Sequence, residues 1–205
     1  MLTQPPGPHL TLVSRLTLRR DFCAYLYQLA RRYGDVVQVP IGRSLYLVNH
    51  PEFIRDVLII QADHFSAEHS PLDRPTPPNE PLEMARHWLK QQSDRGMPIT
   101  DRLVYARQIL AETLRLYPPI KIIRRRALGA YEIGGYTLPA NTSIVISPWV
   151  MHHDPRYFPD PFRFDPLRWS PEAEAVRPAF AYFPYGSVWC EDAWQTMLTQ
   201  IVELV

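Results

Sequence analysis

Proline is the residue that most constrains this chain. There are 22 among 205 residues, about 11% where roughly 5% is average. Glycine numbers only 8. Each proline fixes φ and removes a backbone donor, so helices and strands must fit between prolines. Many prolines with few glycines predicts rigid turns and ordered, extended loops rather than flexible linkers. Aromatic residues at 12% argue for a packed core rather than a disordered chain. At this length the chain holds one domain or two small ones. Net charge is +1, which excludes the strong positive field of a dedicated nucleic-acid binder. No apolar stretch is long enough to span a membrane. The N-terminus, with Gln4-Pro5-Pro6-Gly7-Pro8, lacks a signal peptide pattern. Two cysteines, Cys23 and Cys190, make no disulfide framework and point to a reducing compartment. The expected location is therefore cytoplasmic.

Residues 1–20 read as a proline-led lead-in. Asp21 caps a helix running to about Arg32, with Phe22, Leu26, Leu29 and Tyr33 at helical spacing and Gly34 to end it. Residues 36–39 and 44–48 form two short strands about a turn at 40–43. Pro51 opens a second helix with Phe53, Ile54, Val57 and Leu58 on one face. Residues 66–81 carry no periodicity and mark a junction. A short amphipathic helix is expected over 82–93. Residues 101–117 give the clearest helix, stopped by Pro118-Pro119. A hairpin turns at Gly134-Gly135 within 131–138. Residues 142–146 form another strand, 147–189 are irregular, and 192–205 form an amphipathic helix.

Within the long helix, Glu112 shares an otherwise apolar stripe with Tyr105, Ile109 and Leu116. Arg115 stands three residues on, a helix-surface neighbour. A carboxylate on such a stripe is costly unless paired; an exposed pair worth a few tenths of a kcal/mol is the plainer reading. Downstream lie Pro161-Phe162-Arg163-Phe164 and then Phe183-Pro184-Tyr185-Gly186 with Cys190. The ordered set, E-x-x-R, P-x-R-F and an aromatic–glycine–cysteine loop, resembles the cytochrome P450 family of haem-thiolate monooxygenases, in its bacterial-type form. Residues 97–185 are similar to a nearly continuous stretch of such a protein. Tyr33-Gly34-Asp35-Val36-Val37, Asn49-His50-Pro51 and Ala62-Asp63-His64-Phe65 resemble its N-terminal β-region and second helix.

The resemblance implies a mixed α and β fold, mainly helical, a truncated cytochrome P450 fold lacking its central helices. It divides the chain into a β-rich region with two helices (1–65), a junction where the family's central region is missing (66–81), and a haem-region core (82–205). It implies haem b, iron protoporphyrin IX, with Cys190 as axial iron ligand and Phe183 and Gly186 in the ligand loop. Arg125 or Arg126 would pair a haem propionate. A solvated basic edge is the competing account of Arg124-Arg125-Arg126. Glu112, Arg115 and Arg163 would form a buried structural triad. Ile120, Ile122 and Ile123 fall where the family's chain passes the substrate pocket, or are strand residues facing a core.

Two departures stand out. No arginine occupies the propionate position of the loop: Val188 stands there if Phe183 leads the motif. If Tyr185 leads it, the reading preferred, the loop is two residues short. Glu191 adds negative charge beside the thiolate. The long helix with the family's acid–threonine pair is also absent; Glu112-Thr113 matches that pair in letters only. The implied activity is monooxygenation of an apolar small molecule with O2, electrons coming from a ferredoxin or a flavin reductase, impaired in this chain. The alternatives are a non-catalytic deletion fragment that binds no haem, and a haem protein without oxygenase activity. Apolar faces left uncovered by the missing helices would favour self-association.

Overall fold

The computed structural model describes residues 4–8, 20–41, 44–68, 83, 87 and 99–184. Helix and strand are both well represented, so the fold is mixed α and β. Helix α1 spans Phe22–Tyr33, where the sequence places it. Asp21 caps it by accepting the Ala24 N–H at 2.9 Å. Gly34, with φ +98°, ends it and donates to the Ala30 carbonyl. Phe22, Tyr25, Leu26 and Leu29 form its buried face.

Strands β1 (Val36–Val39) and β2 (Leu45–Val48) pair antiparallel. Helix α2 begins at Pro51 and runs to Arg55, then widens into a π-helical turn over Asp56–Ile60. The Gln61 N–H reaches back to the Asp56 carbonyl, the i to i−5 bond of that widened turn. Strand β3 follows at Phe65–Glu68. Residues 66–68, expected to be irregular, are thus a strand edge; the rest of the expected junction, 69–81, lies outside the described residues. So does the helix expected over 82–93, except that Glu83 and His87 are helical.

Helix α3 spans Ile99–Leu116. Beyond the Pro118-Pro119 stop come β4 (Ile123–Ala127), β5 (Tyr131–Ile133), β6 (Tyr136–Leu138) and β7 (Ser143–Ile146). The β5–β6 hairpin turns through Gly134 and Gly135 with φ +56° and +82°, the left-handed pair that a two-residue type I′ turn requires. A Cβ on Gly134 would come within 2.9 Å of Val36 Cγ2 and 3.1 Å of the Phe53 ring, so the turn packs against β1 and α2. The segment expected to be irregular contains helix α4 (Pro148–His152), a 3-10 turn (Pro166–Trp169) and helix α5 (Pro171–Ala175). Serine or aspartate caps each of the three, and proline opens each.

One five-stranded sheet runs β1-β2-β7-β4-β3. It joins strands from both ends of the chain: β2 lies parallel to β7, and β3 antiparallel to β4. All four residues of β2 are buried, as a central strand covered on both faces requires. On one face α1 packs its apolar stripe against Val37, Leu45, Leu47 and Val145. On the other, Val36, Val48, Ile123, Ile144 and Ile146 pack against Ile54, Val57 and Phe183. Each fully buried aliphatic side chain there contributes about 1.5–3 kcal/mol. Ile122 enters the α1-side core and Ile123 the opposite one, while Ile120 is only half-buried.

The two ends are also joined by polar contacts. Arg156 bridges Asp154 and Asp35 and donates to the Asn49 carbonyl. Buried Asn49 donates to Asp154 at 3.2 Å. No helix among the described residues is long and apolar enough to cross a membrane.

Candidate haem-region site

The apolar stripe of α3 carries Glu112 fully out of solvent. Arg115, one turn on, is equally buried and meets it with two parallel bonds: Nε to Oε2 at 2.7 Å and Nη2 to Oε1 at 2.8 Å. The remaining guanidinium protons go to backbone carbonyls of the following segment. Nη1 donates to His152 at 2.8 Å and to Pro161 at 2.6 Å, and Nη2 to Arg163 at 3.2 Å. All five donors of the fork are used, which a lysine could not do.

The Glu112 carboxylate takes further donors from the same segment. The Asp165 N–H reaches Oε1 at 2.9 Å and the Trp169 indole N–H reaches Oε2 at 3.0 Å. A second guanidinium also faces it, Arg168 Nε at 3.4 Å from Oε1. This differs from the expected triad. The Arg163 side chain is exposed, and Arg163 contributes only its carbonyl. The P-x-R-aromatic pattern occurs twice, as Pro161-Phe162-Arg163-Phe164 and Pro166-Leu167-Arg168-Trp169. The second copy supplies the cation and the indole because the 3-10 turn over Pro166–Trp169 brings both onto α3. The recurrence was the available signal: only the second copy ends in tryptophan, whose N–H can satisfy a buried carboxylate.

Aromatic packing closes this layer. Arg115 lies over the Phe158 ring at 5.2 Å, and Arg177 over Trp169 at 4.3 Å. Thr113 is spent within the helix, its hydroxyl donating to the Ile109 carbonyl at 2.8 Å.

Phe183 is buried in the core on the β4 side of the sheet. Its N–H donates to His152 Nε2 at 3.0 Å, and the two rings meet edge to face. Burial, with His153 and Arg115 nearby, holds the His152 imidazole well below the usual histidine range. Burial also lowers His153, to about 4. Gly186 and Cys190 lie outside the described residues. Cys23 is half-buried, and desolvation pushes its thiol up to about 11.

The triple arginine divides by the alternation of β4. Arg126 pairs with Glu68 across the β3–β4 ladder and is partly exposed. Arg124 lies over the Phe22 ring at 5.8 Å. Arg125 points the other way, half-buried, and donates to the Arg124 carbonyl at 3.0 Å. Burial lowers its pKa. A half-buried guanidinium of this kind has the charge-assisted donors that a carboxylate ligand takes.

Comparison with known proteins bears on the family. The chain is 41% identical over 85 residues to cyclooctatin synthase of Streptomyces melanosporofaciens, covering 42% of this chain and 18% of that protein. It is 31% identical over 186 residues to thromboxane-A synthase of Sus scrofa, covering 89% of this chain and 30% of that protein. It is 38% identical over 98 residues to human cytochrome P450 4V2, covering 47% and 19%. The chain therefore spans less than a third of the length of these relatives, which come from bacteria and animals alike. Among solved structures it is similar to the retinoic acid-bound cyanobacterial CYP120A1, with a TM-score of 0.48 and 22% identity over 62% of this chain and 34% of that one. The family model for Cytochrome P450 matches residues 82–187, just over half of the chain and the part that holds Glu112, Arg115, Arg168 and Phe183, and so the chain belongs to the cytochrome P450 family.

Proposed function

We propose that this chain is a haem-thiolate protein of the monooxygenase type, built around the haem-region core and lacking the family's central helices. The buried Glu112–Arg115 pair carries this reading, because it fastens the segment leading to the cysteine loop onto α3. Cys190 would be the axial ligand of haem b, with Phe183 and Gly186 in its loop and Arg125 pairing a propionate. When bound, the haem supplies the oxygen and electron chemistry; the thiolate tunes it. The protein's own residues bind, orient and shield it. The proposed substrate class is an apolar small molecule, and the proposed electron donor a ferredoxin or flavin reductase.

One observation favours a haem protein without oxygenase activity. Glu112 and Thr113 are both committed to structural bonds, so neither is available as a proton-delivering acid–threonine pair. Positioned proton transfer is worth typically 10²–10⁴-fold in rate. The proposed division keeps a β-rich region with two helices (1–65), a junction at 66–81 where the family's central region would be missing, and a haem-region core (82–205).

Haem titration of the purified chain tests the proposal, followed by turnover of a fatty acid and a terpene alcohol with a ferredoxin–reductase pair. Weak, saturable haem uptake with turnover at least a hundredfold below an intact family member is expected. No uptake at saturating haem makes the chain a non-catalytic fragment. Turnover at the rate of an intact member refutes the impairment.

A further inference from the structure

His152 closes helix α4 and has no exposed surface. The proton positions on its ring follow from its partners. The Phe183 backbone N–H can only donate, so Nε2, 3.0 Å away, is the acceptor. The proton therefore sits on Nδ1, which lies 3.2 Å from the Arg115 carbonyl and donates to it. That carbonyl belongs to the last turn of α3, where backbone acceptors lack intrahelical donors. The His152 carbonyl in turn accepts from Arg115 Nη1 at 2.8 Å. His152 and Arg115 are thus joined in both directions, and His152 passes the connection on to Phe183. The rings of Tyr182 and Phe183 flank the imidazole at 5.1 and 5.7 Å between centroids.

We propose that His152 is a positioning residue for the cysteine loop: it transmits the fixed geometry of Glu112 and Arg115 to Phe183, where the chain sets out toward Cys190. The assignment rests on the haem-thiolate reading for its purpose and on geometry alone for its contacts. A hydrophobic side chain of similar size would fill the space and leave the Phe183 N–H without its acceptor. Glutamine would restore one acceptor and one donor on a single side chain.

The test uses the full chain in a Cys23→Ser background, as His152→Gln and His152→Leu. Amide hydrogen exchange of Phe183 is measured by NMR against Leu47 and Val145 as core references. The rate of Cys190 labelling by an aromatic disulfide reagent is measured beside it. In His152→Leu, Phe183 protection is expected to fall at least tenfold relative to the references and Cys190 labelling to change several-fold. His152→Gln should recover most of both. Unchanged Phe183 protection in His152→Leu overturns the proposal. If neither variant folds, the imidazole ¹⁵N shifts of the wild type decide: a proton on Nδ1 supports the proposal, and a proton on Nε2 overturns it. Wild-type haem titration separates the two levels, since a positioned Phe183 in a chain that takes up no haem removes the functional reading and leaves the contact standing.

Discussion

Glu112 and Arg115 meet through two charge-assisted bonds of 2.7 and 2.8 Å, with neither side chain exposed to solvent. Removing one partner leaves the other charge buried and uncompensated, at a cost of about 3–5 kcal/mol. Glu112→Ala and Arg115→Ala should both lose stability on that scale in urea unfolding. Arg115→Lys should fare little better, because three donors cannot replace five. A loss under about 1 kcal/mol in either alanine variant would contradict the fully satisfied geometry.

The second guanidinium gives a sharper comparison. Arg168 faces the Glu112 carboxylate, whereas Arg163 projects its side chain into solvent. Arg168→Ala should cost about 1–3 kcal/mol, the usual penalty for weakening a buried polar cluster. Arg163→Ala should stay within about 0.5 kcal/mol of wild type, as exposed substitutions do. Parallel denaturation curves settle the order, and a larger loss for Arg163→Ala would restore the triad expected from the first P-x-R-F pattern.

That reversal shows what the sequence could and could not carry. The Asp21 and Gly34 caps, the Gly134-Gly135 turn and the Pro118 stop were legible because each acts through local backbone chemistry. The burial of Glu112 became legible only when its apolar stripe was joined to the ordered motifs downstream, since the stripe alone also allowed an exposed pair. Strand β3 was not, because Ser66-Ala67-Glu68 has no alternation of its own and becomes a strand only by pairing with Arg124–Arg126 across the sheet. The choice between Arg163 and Arg168 depends on a 3-10 turn, and the terminal Trp169 of the second motif was its one mark in the sequence. The role of His152 depends on three segments distant in sequence, and a His-His pair gives no hint which ring meets Phe183.

The two adjacent histidines make stability depend on pH. His153 is lowered to about 4 by burial, and His152 lies well below its ordinary value, chiefly through burial. Both are neutral when folded and gain protons more readily when unfolded. Their contribution is complete above about pH 6.5 and drains as pH falls from there toward 4, by up to about 1.4 kcal/mol per unit for each. Unfolding free energies at pH 7.5, 6 and 5 should decline, and His153→Gln should flatten the slope. A pH-independent free energy across that window would contradict the buried neutral state.

Cys23 should be slow to react. A thiol raised to about 11 holds on the order of 0.1% thiolate at pH 8, and the thiolate is the nucleophile. Labelling of Cys190→Ser with an aromatic disulfide reagent should lag an unhindered thiol by roughly a hundredfold and accelerate only on unfolding. Rapid labelling in the folded protein would show the α1 face to be open.

Cys190 as the haem ligand is tested most directly by titrating haem into the wild type, Cys190→Ser and Cys23→Ser and recording the carbon monoxide difference spectrum after reduction. The wild type and Cys23→Ser should show the thiolate-specific band at weak haem affinity, and Cys190→Ser should lose it. A band that survives Cys190→Ser, or a wild type without one at saturating haem, would contradict the account.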